Sequence, residues 1–485
     1  MKSKGFYIGA VLLLLSVAVL IPKNQEKDTK RVWQHETASK QVEDTNLSID
    51  PETFSSHLPI IVIETNGQEI PGKVTANLNP NKIEHSYIQA EMKIIDQKTE
   101  LNTLASEAEV TSKISIRTRG NTSRYYDKLG YLFRFINEDG MEQKQEVLEM
   151  EAHDTWVLNA SYIDKTQMRN YMWYNLAGEL MEWAPDVRFC EVFLNGEYQG
   201  LYTAVEKVST GEGRIQITEV KEGLKETSYI LELDRQSVNT TAEVDSFAFH
   251  IGMKQTDVQQ VAIEYPGKSK LTQEMIEDIT DEISSFEKAL YSYDYASKTY
   301  GYYAHVDIDN FVDYFLINEI ARNLDAGSCS TYIYKDINGK LKLCVWDFDN
   351  CCNNYFTDPF EVSGFFMQKQ AWFEMICKDE AFVDRVVKRY WELRENIFSD
   401  ERLLEQIENI KGYLGCAIDR NYKKWGDIFE TEYDEFAALG RPLASYEEAV
   451  EQYKNALLGR LAWLDENIEA LRFYSHESVN KKYNH

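Results

Sequence analysis

Read for its apolar positions, the chain opens with one block. Phe6–Ile21 is a run of 16 mainly apolar residues behind Lys2 and Lys4. A positive start followed by such a run is signal-sequence architecture. No small-x-small cleavage pattern follows, and the run ends Val19-Leu20-Ile21-Pro22. Residues 1–23 therefore read as a signal anchor or signal peptide, with the uncleaved anchor favoured although the run is short for a span. The positive side stays cytoplasmic, so the body is expected to be extracytoplasmic, held by this one membrane segment or secreted. Residues 24–56 are polar and charged and read as a linker.

Alternation and short apolar runs then take over. Leu58–Ile63 and Ile88–Ile95 are strand-like, with Asn66-Gly67 and Pro71-Gly72 as turns, which predicts a small β-rich unit over 57–110. Ile114–Thr118 and Tyr131–Phe135 are two more strands, flanking a loop with Arg119, Asn121, Arg124 and Lys128. A helix is expected over Asp164–Met181, capped by Asp164. Phe189–Asn195 and Gln199–Glu206 form a hairpin about Asn195-Gly196, and Tyr229–Asp234 adds a strand. From Leu271 on the pattern is mostly helical. Residues 111–235 thus read as a β-rich lobe, 236–475 as a helical lobe, and 476–485 as a polar tail.

One stretch interrupts the helical half. Phe311, Phe315, Ile317 and Ile320 end an amphipathic run, which Asn323-Leu324-Asp325-Ala326-Gly327 breaks. Thr331–Lys335 and Leu341–Val345 flank Asn338-Gly339, a strong hairpin signal. Folding the chain there makes positions summing to 677 face each other, so Ser330 is expected opposite Asp347. Asp325 then returns close to Asp347 and Asp349. Like charges gathered in this way call for a cation, and the arrangement predicts a divalent-metal site beside a catalytic carboxylate.

Charge narrows the partners. With 80 acidic against 52 basic residues, the net charge is −28. That excludes general nucleic-acid binding, which needs a basic footprint, and favours a basic, Ser-rich protein partner. The cysteines number seven, an odd count without a C-x-x-C pair. They are expected to be buried free thiols and not a zinc site.

A β-rich front, a helical back and an acidic cleft between them is the layout of a protein kinase. The motifs also resemble a named family. Arg119-Gly120-Asn121-Thr122-Ser123-Arg124 with Lys128 and Phe133-Arg134-Phe135 is similar to the RGNSSR…K signature of CotH proteins, atypical kinases first known from bacterial spore coats. Trp156–Lys165, Met168-Arg169-Asn170, Asn195–Tyr202 with Glu206, and Trp346-Asp347-Phe348-Asp349 match in the same order. The resemblance covers about Leu58 to Phe473 and implies an α+β fold of atypical bilobal kinase type. It further implies an enzyme using ATP with Mg²⁺ or Mn²⁺ on Ser/Thr of a protein substrate. Carried over by position, Asp325 becomes the catalytic or acceptor-orienting residue. Asp347 becomes a metal ligand, with Asp349 supporting it. Lys128 contacts nucleotide phosphates, Arg119 and Asn121 shape the phosphate end of the pocket, and Glu206 partners Lys128.

One position departs from the kinase pattern. The second metal ligand, an Asn five residues after the catalytic Asp, is Ser330 here, a weaker neutral ligand. Two alternatives follow from that and from Asp347-Phe348-Asp349. One is a non-catalytic surface or coat-assembly protein that keeps the fold. The other is a metal-dependent glycosyltransferase using a D-x-D pair, against which the absent βαβ alternation counts.

Overall fold

The computed structural model describes residues 31–37, 42–74, 86–221, 223–224, 226–235, 242–245, 259–355, 362–430 and 441–475. The apolar block at 1–23 and the tail at 476–485 lie outside these. Among the described residues no helix is long and apolar enough to cross a membrane.

Seven strands close into a barrel in the order β1-β2-β3-β4-β7-β9-β8. They are β1 (Ile60–Glu64), β2 (Ile88–Ile95), β3 (Val110–Thr118), β4 (Tyr131–Ile136), β7 (Thr155–Asn159), β8 (Val187–Leu194) and β9 (Glu197–Glu206), with a small β5–β6 pair (Gln145–Val147, Met150–His153) inserted. Closure comes from β1 lying parallel to β8, with Ile60 opposite Glu191. The strands of 57–110 therefore belong to the same barrel as those that follow them. Alternation explains its inside: Ile114 and Ile116 of β3, Phe133 and Phe135 of β4, and Trp156 and Leu158 of β7 share one apolar cluster. Leu132, Val157, Phe189, Leu201 and Val205 point the other way and join the main core. Strands buried on both faces need apolar residues at successive positions, which is why Tyr131–Ile136 and Val187–Leu194 lack polar alternation.

Helix α1 (Arg169–Leu180) lies against that outer face and is buried all round from Arg169 to Ala177. It starts five residues later than the sequence suggests. Asp164 does not cap a helix begun beside it. Its carboxylate accepts the backbone N–H of Thr166 at 3.0 Å and of Arg169 at 2.8 Å, spanning a turn in which Gln167 has a φ of +58°.

A second, four-stranded sheet follows, ordered β11-β10-β12-β13. It joins β10 (Tyr229–Arg235), β11 (Gln259–Tyr265), β12 (Thr331–Lys335) and β13 (Lys342–Cys344). The expected hairpin is therefore half of a larger sheet, and its register differs by one. Ile333 faces Leu343 and Tyr332 faces Cys344, so paired numbers sum to 676. The cause is the turn: Gly339 N–H bonds to Asp336 C=O at 2.9 Å, and Asn338 takes the left-handed position at φ +58°. The turn thus spans Asp336–Gly339 instead of centring on Asn338-Gly339.

The rest is helical: α2 (Gln273–Leu290), α3 (Ile308–Ala321), α4 (Glu380–Arg394), α5 (Asp400–Leu414), α6 (Cys416–Trp425) and α7 (Tyr446–Asn467). The fold is thus mixed α/β, β-rich in its N-terminal part and helical in its C-terminal part. The stretch expected as a linker is partly packed. Trp33 is 1 % exposed and donates to Glu179 at 2.8 Å, and Asp44 pairs with the buried Arg420 at 3.0 Å. All seven cysteines are unpaired, and six are buried.

Candidate functional site

A cleft of about 330 Å³ opens between the end of the barrel and the second sheet. Its first wall is the end of β3, with Arg117, and the loop after it, with Arg119, Gly120, Asn121, Thr122 and Ser123. Gly120 is required there, because it has a φ of +106° and a Cβ would sit 1.9 Å from Ser123 Oγ. The opposite wall carries Lys207, Glu232, Asp234 and Glu264. The third side is the acidic segment: Asp325, Ser330, Trp346, Asp347, Asp349 and Asn350. Six of the eight expected site residues therefore meet in one cleft: Arg119, Asn121, Asp325, Ser330, Asp347 and Asp349.

The other two do not line it. Lys128 is 1 % exposed, and its Nζ donates to Leu201 C=O at 2.5 Å, Asn421 Oδ1 at 3.0 Å and Gln167 Oε1 at 3.3 Å. Burial pushes its pKa down to about 7. Glu206 is also buried and does not face Lys128. It pairs with the Arg214 guanidinium and accepts Asp186 N–H at 2.9 Å. The cleft cations are Arg117, Arg119 and Lys207 instead, of which Lys207 is half-buried and 3.3 Å from Glu264. Only its place just after β9 could have marked it.

The acidic segment is held tightly by α1. Asp347 takes the left-handed conformation at φ +58°. Its N–H donates to Tyr174 Oη at 3.0 Å, and its C=O accepts Asn323 Nδ2 at 3.0 Å. Phe348 is fully buried and stacks on Trp173 with centroids 5.7 Å apart, so the aspartates on either side turn toward the cleft. Asn170 accepts Phe348 N–H and donates to Asp349 Oδ1, both at 2.7 Å. Arg169 donates to the carbonyls of Cys351 and Cys352 at 3.1 and 3.3 Å. Asp325 is fixed by Asn350 Nδ2 at 2.8 Å. Tyr174 escapes sequence reading because a phenol in an apolar helix looks like ordinary core, while Asn170 and Asn323 stand in stretches the sequence singles out without revealing what their amides bond.

The electrostatics agree with convergence. The Tyr126 phenol is pushed up by burial, then by Tyr355, and then by Asp349, Asp347 and Asp325 together. The Asp349 carboxyl is raised well above the usual range by burial and then by Asp347. On the opposite wall Glu232 is raised to about 8 by burial, then by Glu264 and Asp234.

Among the described residues no three His, Cys, Asp or Glu side chains stand together to hold a metal ion by themselves. Mg²⁺ needs fewer, since it keeps waters and takes one or two carboxylates plus substrate phosphates. Asp347 and Asp349 are two residues apart in one turn, with hard oxygen donors, and fit that use. The raised Asp349 carboxyl is the kind of group a nearby cation would return to its ionised form.

A second cavity of about 280 Å³ lies near His57, Asp96, Lys98 and Glu149. Its lysine is already neutralised: Lys98 is 2.5 Å from Asp96 and 2.9 Å from Glu149. The first cleft is the better candidate.

Compared with known proteins, the chain matches the family described as CotH kinase protein over residues 116–464. No curated protein matches it. The matched span starts inside β3, later than the resemblance first traced from about Leu58, and it contains the loop at 119–124, the α1 contacts and the whole acidic segment. Since that span is most of the chain, the protein belongs to the CotH kinase family.

Proposed function

We propose that this chain is an ATP-dependent protein kinase that transfers the terminal phosphate to Ser or Thr of a protein. The barrel and the helical part would act as the two lobes of a bilobal kinase. One observation carries the reading: a single cleft presents Asp325, Asp347 and Asp349 together with Arg119 and Lys207. Phosphoryl transfer needs little covalent chemistry from the protein, and positioning with charge stabilisation suffices.

In this reading the acceptor hydroxyl oxygen forms a bond to the terminal phosphorus, the bridging P–O bond breaks, and ADP leaves. Asp325, oriented by Asn350, receives or directs the hydroxyl proton. Arg119, whose guanidinium lies 5.3 Å over the Trp346 ring, and Lys207 face the negative charge of the phosphates. Asp347 and Asp349 would hold Mg²⁺ or Mn²⁺, which when bound neutralises phosphate charge. Ser330 at φ +46° borders the same space and would offer a weak neutral ligand. Asn121, whose Nδ2 is 3.4 Å from Asp234, helps shape the rim.

The net charge of −28 supports a basic, Ser-rich protein substrate, and residues 1–23 support extracytoplasmic action from a membrane anchor or after secretion. The test is transfer of labelled phosphate from ATP to a basic Ser-rich protein by the full chain, with Mg²⁺ and then Mn²⁺. Transfer that Asp347→Asn abolishes supports the reading. No transfer with either metal favours the non-catalytic surface or coat-assembly protein.

A further inference from the structure

Helix α1 works on two faces. Asn170, Trp173 and Tyr174 lie three to four residues apart and share the face that holds the acidic segment. Tyr171 and Glu179 lie on the opposed face, and residues 33–35 bond to both. This stretch lies before the family span of 116–464.

Trp33 is buried in the main core, and its Nε1–H donates to Glu179 Oε1 at 2.8 Å. Its ring meets the Tyr171 ring edge-on, with centroids 6.0 Å apart. Tyr171 Oη accepts His35 N–H at 3.2 Å and donates to His35 Nδ1 at 2.9 Å. The other ring nitrogen, Nε2, donates to Gln406 Oε1 at 2.8 Å, and Gln406 Nε2 donates to Glu36 at 3.0 Å. With a neutral imidazole each donor in that chain meets an acceptor, and burial lowers the His35 pKa in the same sense. Glu179 stands in the last turn of α1, where a carboxylate opposes the helix dipole. Arg402 of α5 donates to both of its oxygens at 2.7 Å. The helix thus carries a charge that costs it stability and that Trp33 and Arg402 satisfy.

The same stretch is fastened beyond α1. Gln34 exchanges two hydrogen bonds with the Phe189 backbone of β8, at 2.7 and 3.2 Å. Farther along, Asp44 joins Glu191 of β8 on the buried Arg420 of α6, at 3.0 and 2.7 Å. Phe54 packs edge-on against Phe193 of the barrel at 4.8 Å. Residues 33–37 and 42–57 form a strap that ties barrel, α1 and helical part together.

We propose that this strap sets the rotation of α1, and with it the aim of the acidic segment, so that Trp33 and His35 are positioning residues for the site. Apolar contacts are non-directional and resist small rotations of a buried helix weakly. Two hydrogen-bonded anchors eight residues apart, about 12 Å along the axis, resist them strongly. A rotated α1 would displace Asn170 and Tyr174, which hold Phe348 N–H, the Asp349 carboxylate and Asp347 N–H. The proposal rests on the kinase reading for what the site does, and on the contacts of α1 for its existence.

The experiment is amide hydrogen exchange on the full-length protein without ligand, followed in 346–354 and in α7. Melting temperatures and the Mg²⁺ dependence of phosphate transfer are measured beside it. Trp33→Phe keeps an aromatic ring and loses the N–H, and His35→Phe loses both ring bonds. Phe54→Leu, which loosens the strap on the barrel alone, is the control. Trp33→Phe and His35→Phe are each expected to speed exchange in 346–354 about tenfold, the worth of a buried hydrogen bond. Exchange in α7 should not change, and the Mg²⁺ dependence should move to higher concentration. Phe54→Leu should lower the melting temperature with exchange in 346–354 unaltered. Exchange in 346–354 that stays at the unaltered rate in both variants, or rises equally in α7 or in Phe54→Leu, overturns the proposal, because the strap is then ordinary packing. So does transfer whose Mg²⁺ dependence neither variant moves. Should His35→Phe fail to fold, Trp33→Phe decides alone. Exchange that responds as expected, in a protein that transfers no phosphate, sinks the kinase reading and leaves the strap standing.

Discussion

Asn170 holds both ends of the Phe348–Asp349 peptide, with its Oδ1 accepting Phe348 N–H and its Nδ2 donating to Asp349 Oδ1, each at 2.7 Å. It stands on a rigid, buried helix, so one side chain sets where an aspartate points and how the backbone between two aspartates runs.

Asn170→Ala should therefore act on metal use more than on folding. Losing a buried pair of hydrogen bonds costs about 1–3 kcal/mol. Loss of a residue that orients a metal-binding carboxylate typically costs about 10- to 100-fold in affinity or activity. The expected result is a folded protein, slightly less stable, with Mg²⁺ dependence shifted to higher concentration. Unchanged Mg²⁺ dependence in a protein that merely melts earlier would reduce Asn170 to a packing role.

Asp347→Asn should remove Mg²⁺-dependent nucleotide binding while the protein stays folded. Asp347 adds its negative charge to the burial that raises the Asp349 carboxyl. Removing one charge relieves repulsion, so the melting temperature should hold or rise. Titration with Mg-ATP decides: unaltered affinity removes Asp347 from the ligand set.

Lys128 gives a pH signature. Its folded pKa is pushed down to about 7 by burial, whereas an unfolded lysine titrates near 10.4. Between these values the unfolded chain binds a proton that the folded chain does not, so this residue makes stability rise with pH from about 7 toward 10. Urea unfolding at several pH values should show the unaltered chain gaining on Lys128→Met across that window. The same variant should lose less nucleotide affinity than Arg119→Ala, which is in the cleft. A flat difference with pH would mean the buried amine stays charged.

Those residues also mark how far sequence reading reaches. The Asn338-Gly339 hairpin, the gathering of Asp325, Asp347 and Asp349, and the place of Arg119 and Asn121 are local facts, set by turn residues and short spacings. The one-residue register error has a local cause as well, the left-handed Asn338 moving the turn to Asp336–Gly339. What escapes is non-local. Lys128 is withdrawn from the cleft by Asn421, 293 positions away. Glu206 is claimed by Arg214, and the barrel closes through β1 and β8, which are far apart in the chain. A charged residue in a motif reveals its chemistry; its partner is decided by the fold.

Asp325→Asn should separate binding from transfer. Asp325 borders the cleft on the same side as Asp347 and Asp349, and its carboxylate accepts Asn350 Nδ2 at 2.8 Å. In the proposed reaction it acts on the acceptor hydroxyl, which develops its charge only as the phosphate moves. A group of that kind lowers turnover without altering ground-state nucleotide affinity. The expected loss is on the order of a hundredfold or more in rate, with Mg-ATP affinity nearly intact. Phosphate incorporation into a basic Ser-rich protein, measured beside calorimetric ATP binding, tests both halves. Transfer at the unaltered rate removes Asp325 from the chemistry and takes the main support from the kinase reading. A parallel loss of ATP affinity would instead place Asp325 with Asp347 and Asp349 among the groups that hold the nucleotide and its metal.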